Sequence, residues 1–249
     1  MGVLERTGHY FYRRRLNREA RARSSDAAGT CVEFLGPPGA GKTTIVRNLG
    51  QEVADKWLFR EHLSIVPARS VPERALRVYS YLLVQRLNRI GTAENALKFA
   101  KYLLRILDTD MKALYGNCRA GVILDESVFQ VFKSEVLALP SHDFEILVKN
   151  RCSILLVPRD PASVVRQLQA RGLLFGREIH ESDDVLRSMI DKSTTDAEEV
   201  AERAMFCNAP VLRLWVEDGT VFNARAVTEF LSTRFDRSGV TTVEKLGEG

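Results

Sequence analysis

The run Cys31-Val-Glu-Phe-Leu-Gly-Pro-Pro-Gly-Ala-Gly-Lys-Thr-Thr44 constrains the fold more than any other stretch, because it joins a short apolar segment to a glycine-rich turn and then to a helical pattern. Gly36, Gly39, Gly41, Lys42 and Thr43 fit the phosphate-loop pattern G-x-x-x-x-G-K-[ST] without a gap. Glycine permits the tight turn that points successive backbone N–H groups at one phosphate, and the helix that follows adds the positive end of its dipole. The reading assigns nucleotide phosphates to Gly36, Pro37, Pro38, Gly39, Ala40, Gly41, Lys42, Thr43 and Thr44. Within it, Lys42 meets the β- and γ-phosphates of ATP and the Thr43 hydroxyl meets Mg2+. An extended apolar run at 32–35 and Ile45, Val46 and Leu49 at helical spacing supply the strand–loop–helix context that a bare pattern match lacks.

With 249 residues, 45% hydrophobic and 27% charged, the chain has material for one large α/β domain, and no Pro/Gly/Ser-rich linker divides it. No apolar run reaches the roughly 18 to 20 residues that span a bilayer. The net charge of +4 sits wholly in residues 1–29, where seven arginines face three acids. This arm combines Tyr10-Phe11-Tyr12 with Arg13-Arg14-Arg15, which suits either a solvated arm or an anchor for an anionic membrane surface or a protein partner. The remaining body is neutral, and no nucleic-acid partner is expected. Cys31, Cys118, Cys152 and Cys207 form no C-x-x-C pair, so the reading is free thiols in a reducing, cytoplasmic compartment.

Beyond the loop, the pattern predicts a helix over 43–56 and a short strand at 57–59, with Glu61 just after it. Residues 72–117 read as two long helices broken at Gly91-Thr92. Their apolar faces are Leu76, Tyr79, Leu82, Leu83, Leu87 and Ile90, then Ala96, Phe99, Ala100, Leu103, Leu104 and Leu107. A crossover between parallel strands does not need two such helices, so they form an insertion that serves as a lid or recognition lobe, or one that only enlarges the core. Apolar runs at 122–124 and 153–157 read as strands buried on both faces, and 211–216 reads as a last strand. Helices fill the intervals, residues 173–177 read as a loop, and residues 236–249 read as a frayed tail. The sum is a doubly wound α/β fold: a mostly parallel five-stranded sheet with helices on both faces and an α-helical insertion, domain bounds 30–235.

In such sheets the ligand lies beyond the carboxyl ends of the strands, where the phosphate loop, Asp125-Glu126 and Arg159 should converge. Asp125, at the end of the third strand, suits a magnesium ligand. Glu126 suits a base on an acceptor hydroxyl or on water, with Glu61 as an alternative. Phosphoryl transfer needs cations around the moving group, and Arg166, Arg171 and Arg177 surround a loop bounded by Gly172 and Gly176, the pattern of a closing lid over about 171–181.

Three segments carry a resemblance to a known superfamily: Gly36-Pro-Pro-Gly-Ala-Gly-Lys-Thr43, Leu124-Asp-Glu-Ser127 and Val165-Arg-Gln-Leu-Gln-Ala-Arg-Gly172. They resemble the phosphate loop, Walker B and lid-entry segments of the P-loop nucleoside and nucleotide kinase-like superfamily. The resemblance implies lid arginines on the donor phosphates, here Arg171 with Arg166 and Arg177, and an adenine contact near 217–219. Asp125-Glu126-Ser127 departs from the Asp-Arg-Tyr of thymidylate kinases and lacks the arginine of the Glu-Arg-Ser in deoxynucleoside kinases, so the motif does not imply a nucleoside acceptor. The expected activity is transfer of the ATP γ-phosphate to an unidentified small hydroxyl-bearing acceptor with Mg2+. A P-loop ATPase driving a protein partner and a nucleotide-binding scaffold are the alternatives. No N-K-x-D or L-S-G-G-Q motif points to a GTPase or a transporter ATPase.

Overall fold

The apolar runs assemble into one parallel sheet whose strand order places the phosphate-loop strand at the centre. The computed structural model describes residues 30–50, 53, 56–60, 63, 71–116, 118, 120–174, 177–178 and 181–235. The basic arm, Glu61 and the residues beyond 235 lie outside the described residues. Strands β1 (Cys31–Leu35), β2 (Trp57–Phe59), β3 (Gly121–Leu124), β4 (Arg151–Val157) and β7 (Val211–Trp215) form the sheet in the order β2-β3-β1-β4-β7. All four pairings are parallel.

Side chains alternate across the sheet, as a strand's period of two requires. Val32, Phe34, Cys152, Ile154 and Leu156 face one core, which α1 (Lys42–Asn48), α7 (Pro161–Arg171) and α9 (Thr220–Phe235) cover with Ile45, Val164, Leu168, Val227 and Leu231. Leu35, Leu155 and Val157 face the other. There α2 (Glu73–Asn88), α3 (Ala93–Tyr115), α4 (Val128–Val131), α5 (Lys133–Leu137) and α6 (Ser141–Val148) pack through Tyr79, Leu82, Ile106, Phe129, Val136 and Phe144. Helix α8 (Asp183–Phe206) is long enough to serve both, contributing Leu186 and Ile190 to the first core and Ala197, Val200 and Ala204 to the second. This is the doubly wound five-stranded architecture that the alternation of apolar patterns implied.

Local chemistry sets the boundaries. Thr92 caps α3 by accepting the Asn95 N–H at 3.2 Å, so the chain turns at Gly91-Thr92 as its pattern suggested. Asp160 caps α7 through the Ala162 N–H at 3.0 Å, Pro161 occupies the first turn, and Gly172 ends the helix at φ 68°.

Four expectations are corrected. Helix α1 stops at Asn48 rather than continuing to 56, because Leu49 turns extended at ψ 130°. Strand β4 begins at Arg151, two residues early, carrying a charge into a buried strand. The stretch read as a loop at 173–177 contains an antiparallel pair, β5 (Leu173–Leu174) with β6 (Arg177–Glu178). Leu76, Phe99 and Leu104 are 44%, 40% and 52% exposed. Helices α2 and α3 bury a narrower stripe than their apolar positions suggested, centred on Ala75, Val78, Tyr79 and Leu82 and on Leu103, Ile106, Leu107 and Asp110.

Candidate active site

Strand register brings the chemically loaded residues to one edge. Because Glu33 stands opposite Leu124, Phe59 opposite Ile123 and Leu35 opposite Leu155, the segments leaving β1, β2, β3 and β4 all emerge on the same side of the sheet. These segments carry Gly36, Arg60, Asp125 and Arg159 in turn. The switch point, where the chain crosses from the β2–β3 side to the β4–β7 side, lies at β1.

The loop at that point is shaped by its surroundings. Gly36 adopts φ 136°, and a Cβ there would stand 2.5 Å from the Leu156 carbonyl oxygen of β4, a backbone atom that cannot yield. Gly39 adopts φ 82° beneath α7, where a Cβ would lie 2.8 Å from the Leu168 side chain. Gln130, one turn into α4, grips Gly36 from the other side: the Gly36 N–H donates to its Oε1 at 3.2 Å and its Nε2 donates back to the Gly36 oxygen at 3.0 Å. Lys42 folds over the loop, its ammonium donating to the Gly36 and Pro37 oxygens at 3.0 and 2.7 Å.

Burial, and after it the neighbouring Lys133 ammonium, lowers the half-buried Lys42 to about 7, against the pull of Glu126 and Asp125. An incoming polyphosphate favours the charged lysine, so binding takes up a proton above that pH. Affinity for ATP is therefore expected to fall as pH rises from 6 to 9. Titration calorimetry at pH 8 in buffers of differing ionisation enthalpy should register uptake of about one proton at this group. A pH-independent affinity over that range would show that Lys42 does not carry the change.

The Thr43 hydroxyl donates to Asp125 Oδ2 at 2.9 Å. Helix α1 and the end of β3 are thereby joined, and a hydroxyl and a carboxylate share one point beside the loop. Magnesium on a nucleotide needs only one or two protein oxygens, with phosphate and water filling the remainder. The Thr43–Asp125 pair fits that requirement. Among the described residues there is no cluster of three or more His, Cys, Asp or Glu that would hold a metal without a nucleotide.

Glu126 faces the helical insertion. Its Oε1 accepts from the Tyr102 hydroxyl of α3, and its Oε2 accepts from Arg60 Nη1 at 2.9 Å. Arg60 also stands 3.7 Å from Asp125 Oδ1, so one guanidinium ties both carboxylates. Burial and the Glu126 hydrogen bond raise the Tyr102 phenol, which keeps it a donor. Arg60, Tyr102 and Gln130 were not among the sequence-derived candidates. Arg60 had a legible signal, since it directly follows the short strand at 57–59. Tyr102 and Gln130 had none, because only the fold brings them to the loop.

The arginines divide. Arg166 pairs with Asp160 Oδ2 at 3.7 Å on its own helix. Arg171 is exposed at the end of α7. Arg177 is placed by its backbone opposite Leu174 in the β5–β6 pair. Arg159 stands 3.2 Å from Asp218 and over the Trp215 ring at 5.1 Å. The turn after β7 is built into the same edge. Glu217 accepts the Arg159 and Asp160 N–H groups at 3.0 and 3.1 Å and the Ser163 hydroxyl at 2.9 Å. Burial works against this carboxylate, yet those bonds hold it below its usual range. Thr220, the next helix start, accepts from Asn48 Nδ2 of α1 at 3.4 Å, which sets the 217–219 turn beside the phosphate-loop helix.

The whole is a doubly wound α/β fold with a glycine-rich loop at its switch point. No family model matches the chain, and no curated protein matches it in sequence. Among solved structures it is similar to shikimate kinase from Bacteroides thetaiotaomicron, with a TM-score of 0.41 and 13% identity, over 82% of this chain and 98% of that one. It is also similar to deoxyadenosine kinase from M. mycoides with bound dATP, at a TM-score of 0.39 and 14% identity, over 82% of this chain and 100% of that one. Among the described residues no helix is long and apolar enough to cross a membrane.

Proposed function

We propose that this protein is an ATP-dependent phosphotransferase that moves the γ-phosphate to a small hydroxyl-bearing acceptor with Mg2+. The observation that carries the reading is the 2.9 Å hydrogen bond from Thr43 to Asp125, which unites the phosphate loop with a strand-end carboxylate and sets Glu126 beside both. The backbone of residues 36–44 and Lys42 bind the phosphates, and Lys42 follows the charge that moves toward the β–γ bridge. Thr43 and Asp125 would hold Mg2+, which supplies charge neutralisation to the β- and γ-oxygens.

Glu126 then takes the proton of the acceptor hydroxyl as its oxygen bonds to phosphorus and ADP leaves. Both Glu126 oxygens already accept one hydrogen bond, and a carboxylate oxygen has a second lone pair for another. Tyr102 and Arg60 hold the carboxylate still while it does so. Arg171 and Arg177 belong to the lid that closes over the donor, Arg166 lies at its root, and Glu61 is the second candidate for the base. Release of inorganic phosphate alone, stimulated by a protein partner, would instead favour the ATPase reading that an adjacent Asp-Glu pair also suits.

Incubation of γ-labelled ATP with panels of nucleosides, sugars and aminoglycosides is expected to pass label to one acceptor class. Absence of both label transfer and phosphate release would sink the reading. Asp125→Asn should cut Mg2+-dependent turnover by about 10²-fold or more, as loss of an oriented catalytic charge does. An unchanged Mg2+ titration in that variant would place the metal elsewhere.

A further inference from the structure

Glu33 is an anomaly. It stands in the central strand, three residues before the phosphate loop, and is fully buried. Its Oε2 accepts from the Ser127 hydroxyl at 2.5 Å and from Arg151 Nη1 at 2.9 Å, and its Oε1 accepts from the Ser153 hydroxyl at 3.0 Å. Arg151, 2% exposed, spends its other donors on Asp110, at 3.0 and 2.7 Å, and on the Leu147 carbonyl at 2.8 Å. Its guanidinium lies over the Phe129 ring at 4.6 Å, and Tyr79 closes the set by donating to Asp110 at 2.7 Å. Strands β1 and β4, the β3–α4 turn and helices α2 and α3 thus meet at one buried polar cluster.

Stability alone does not call for such a cluster. Well-packed apolar side chains commonly replace a buried ion group with no loss, and here two acids face one base. What distinguishes the cluster is where its members sit. Ser127 directly follows Asp125 and Glu126, and its hydroxyl is also the acceptor that caps α4, the helix carrying Gln130 to Gly36. Asp110 shares α3 with Tyr102, the residue bonded to Glu126. The turn with the two carboxylates and the insertion helix against it are therefore indexed to the same strand that feeds the phosphate loop.

We infer that Glu33 is a positioning residue: through Ser127 it fixes the Asp125-Glu126 turn against the phosphate loop, and through Arg151 and Asp110 it holds α3 in the same frame. This rests on the phosphotransferase reading above, in the part that gives Asp125 to Mg2+. Glu33 touches neither nucleotide nor metal, so its effect is on geometry. The metal-dependent part of nucleotide binding reads that geometry, whereas the loop's own grip on phosphate does not.

The test is calorimetric titration of ATP in Mg2+ and in EDTA. Glu33→Leu conserves volume and leaves Arg151 paired one-to-one with Asp110. It should lose roughly tenfold of the affinity gained from Mg2+, the usual scale for removing a residue that orients a metal ligand, with EDTA affinity within about twofold of wild type. Glu33→Gln, which keeps a carbonyl oxygen for Ser127, should restore the gain. Ser127→Ala breaks the same bond from the other side with the core intact and decides the matter if Glu33→Leu does not fold; it too should lose the gain. A folded variant with the full Mg2+ gain, or one that loses equally in both arms, overturns the inference. Wild-type protein that binds no ATP in either arm overturns both the inference and the function it rests on.

Discussion

Replacing Lys42 with alanine is expected to lower ATP turnover by about 10² to 10³-fold, the scale on which removal of one preorganised charge acts in phosphoryl and acyl transfer. The ammonium lies across the mouth of the loop, bonded to the Gly36 and Pro37 oxygens, where it is placed to exchange a carbonyl for a phosphate oxygen. The fold should survive. Gly36 keeps its clasp from Gln130, and Gly36 and Gly39 are shaped by Leu156 and Leu168 rather than by the lysine. Circular dichroism and the unfolding midpoint report the fold, and equilibrium ATP binding reports the site. Normal turnover in a folded Lys42→Ala protein would remove the phosphate-loop reading at its root.

Arg151→Leu should act on stability with comparable force. It leaves Glu33 and Asp110, both wholly buried, facing each other without a counter-charge. Removing one partner of a buried charge set costs about 3–5 kcal/mol. A domain has on the order of 5–15 kcal/mol in total, so much of its margin would go. Urea titration measures this directly. The double variant, Arg151→Leu with Asp110→Leu, should recover only part of the loss, because it removes one stranded carboxylate and leaves Glu33 buried without a counter-charge. A single variant as stable as wild type would mean that both carboxyls take up protons at little cost once the arginine is gone. Burial does raise Glu33 against the lowering effects of Arg151 and Ser127, which is the direction such an outcome would need.

The sheet was legible because buried parallel strands leave continuous apolar runs, and the phosphate loop because its backbone demands glycine at fixed spacing. Residues 122–124 and 153–157 illustrate the first, Gly36 and Gly39 the second. Asp125 was legible as a carboxylate at a strand end, while its hydrogen bond to Thr43 came only with the fold. The insertion helices were legible as helices, but not in facing, since Leu76 and Leu104 sit on the wet side. Periodicity reports where an apolar stripe could lie and not how wide a partner covers it. Arg151 was missed as a strand residue because a charge normally ends a buried run, and only Glu33 and Asp110, 118 and 41 positions away in the chain, make it tolerable there. Separation in the chain also hid Gln130 and Tyr102, whose partners Gly36 and Glu126 stand 94 and 24 positions away.

The central position of β1 also sets an order of events. Cys31–Leu35 pairs with residues 122–124 on one side and 151–155 on the other, so the strand that ends in the glycine-rich loop gains its first neighbour only after some ninety further residues have been made and its second only after residue 155. Loop closure over such separations is slow, and the β4 backbone that crowds Gly36 arrives with the later of the two partners. The turn after β1, among the first described segments in the chain, thus acquires its final shape only after β4 has been made.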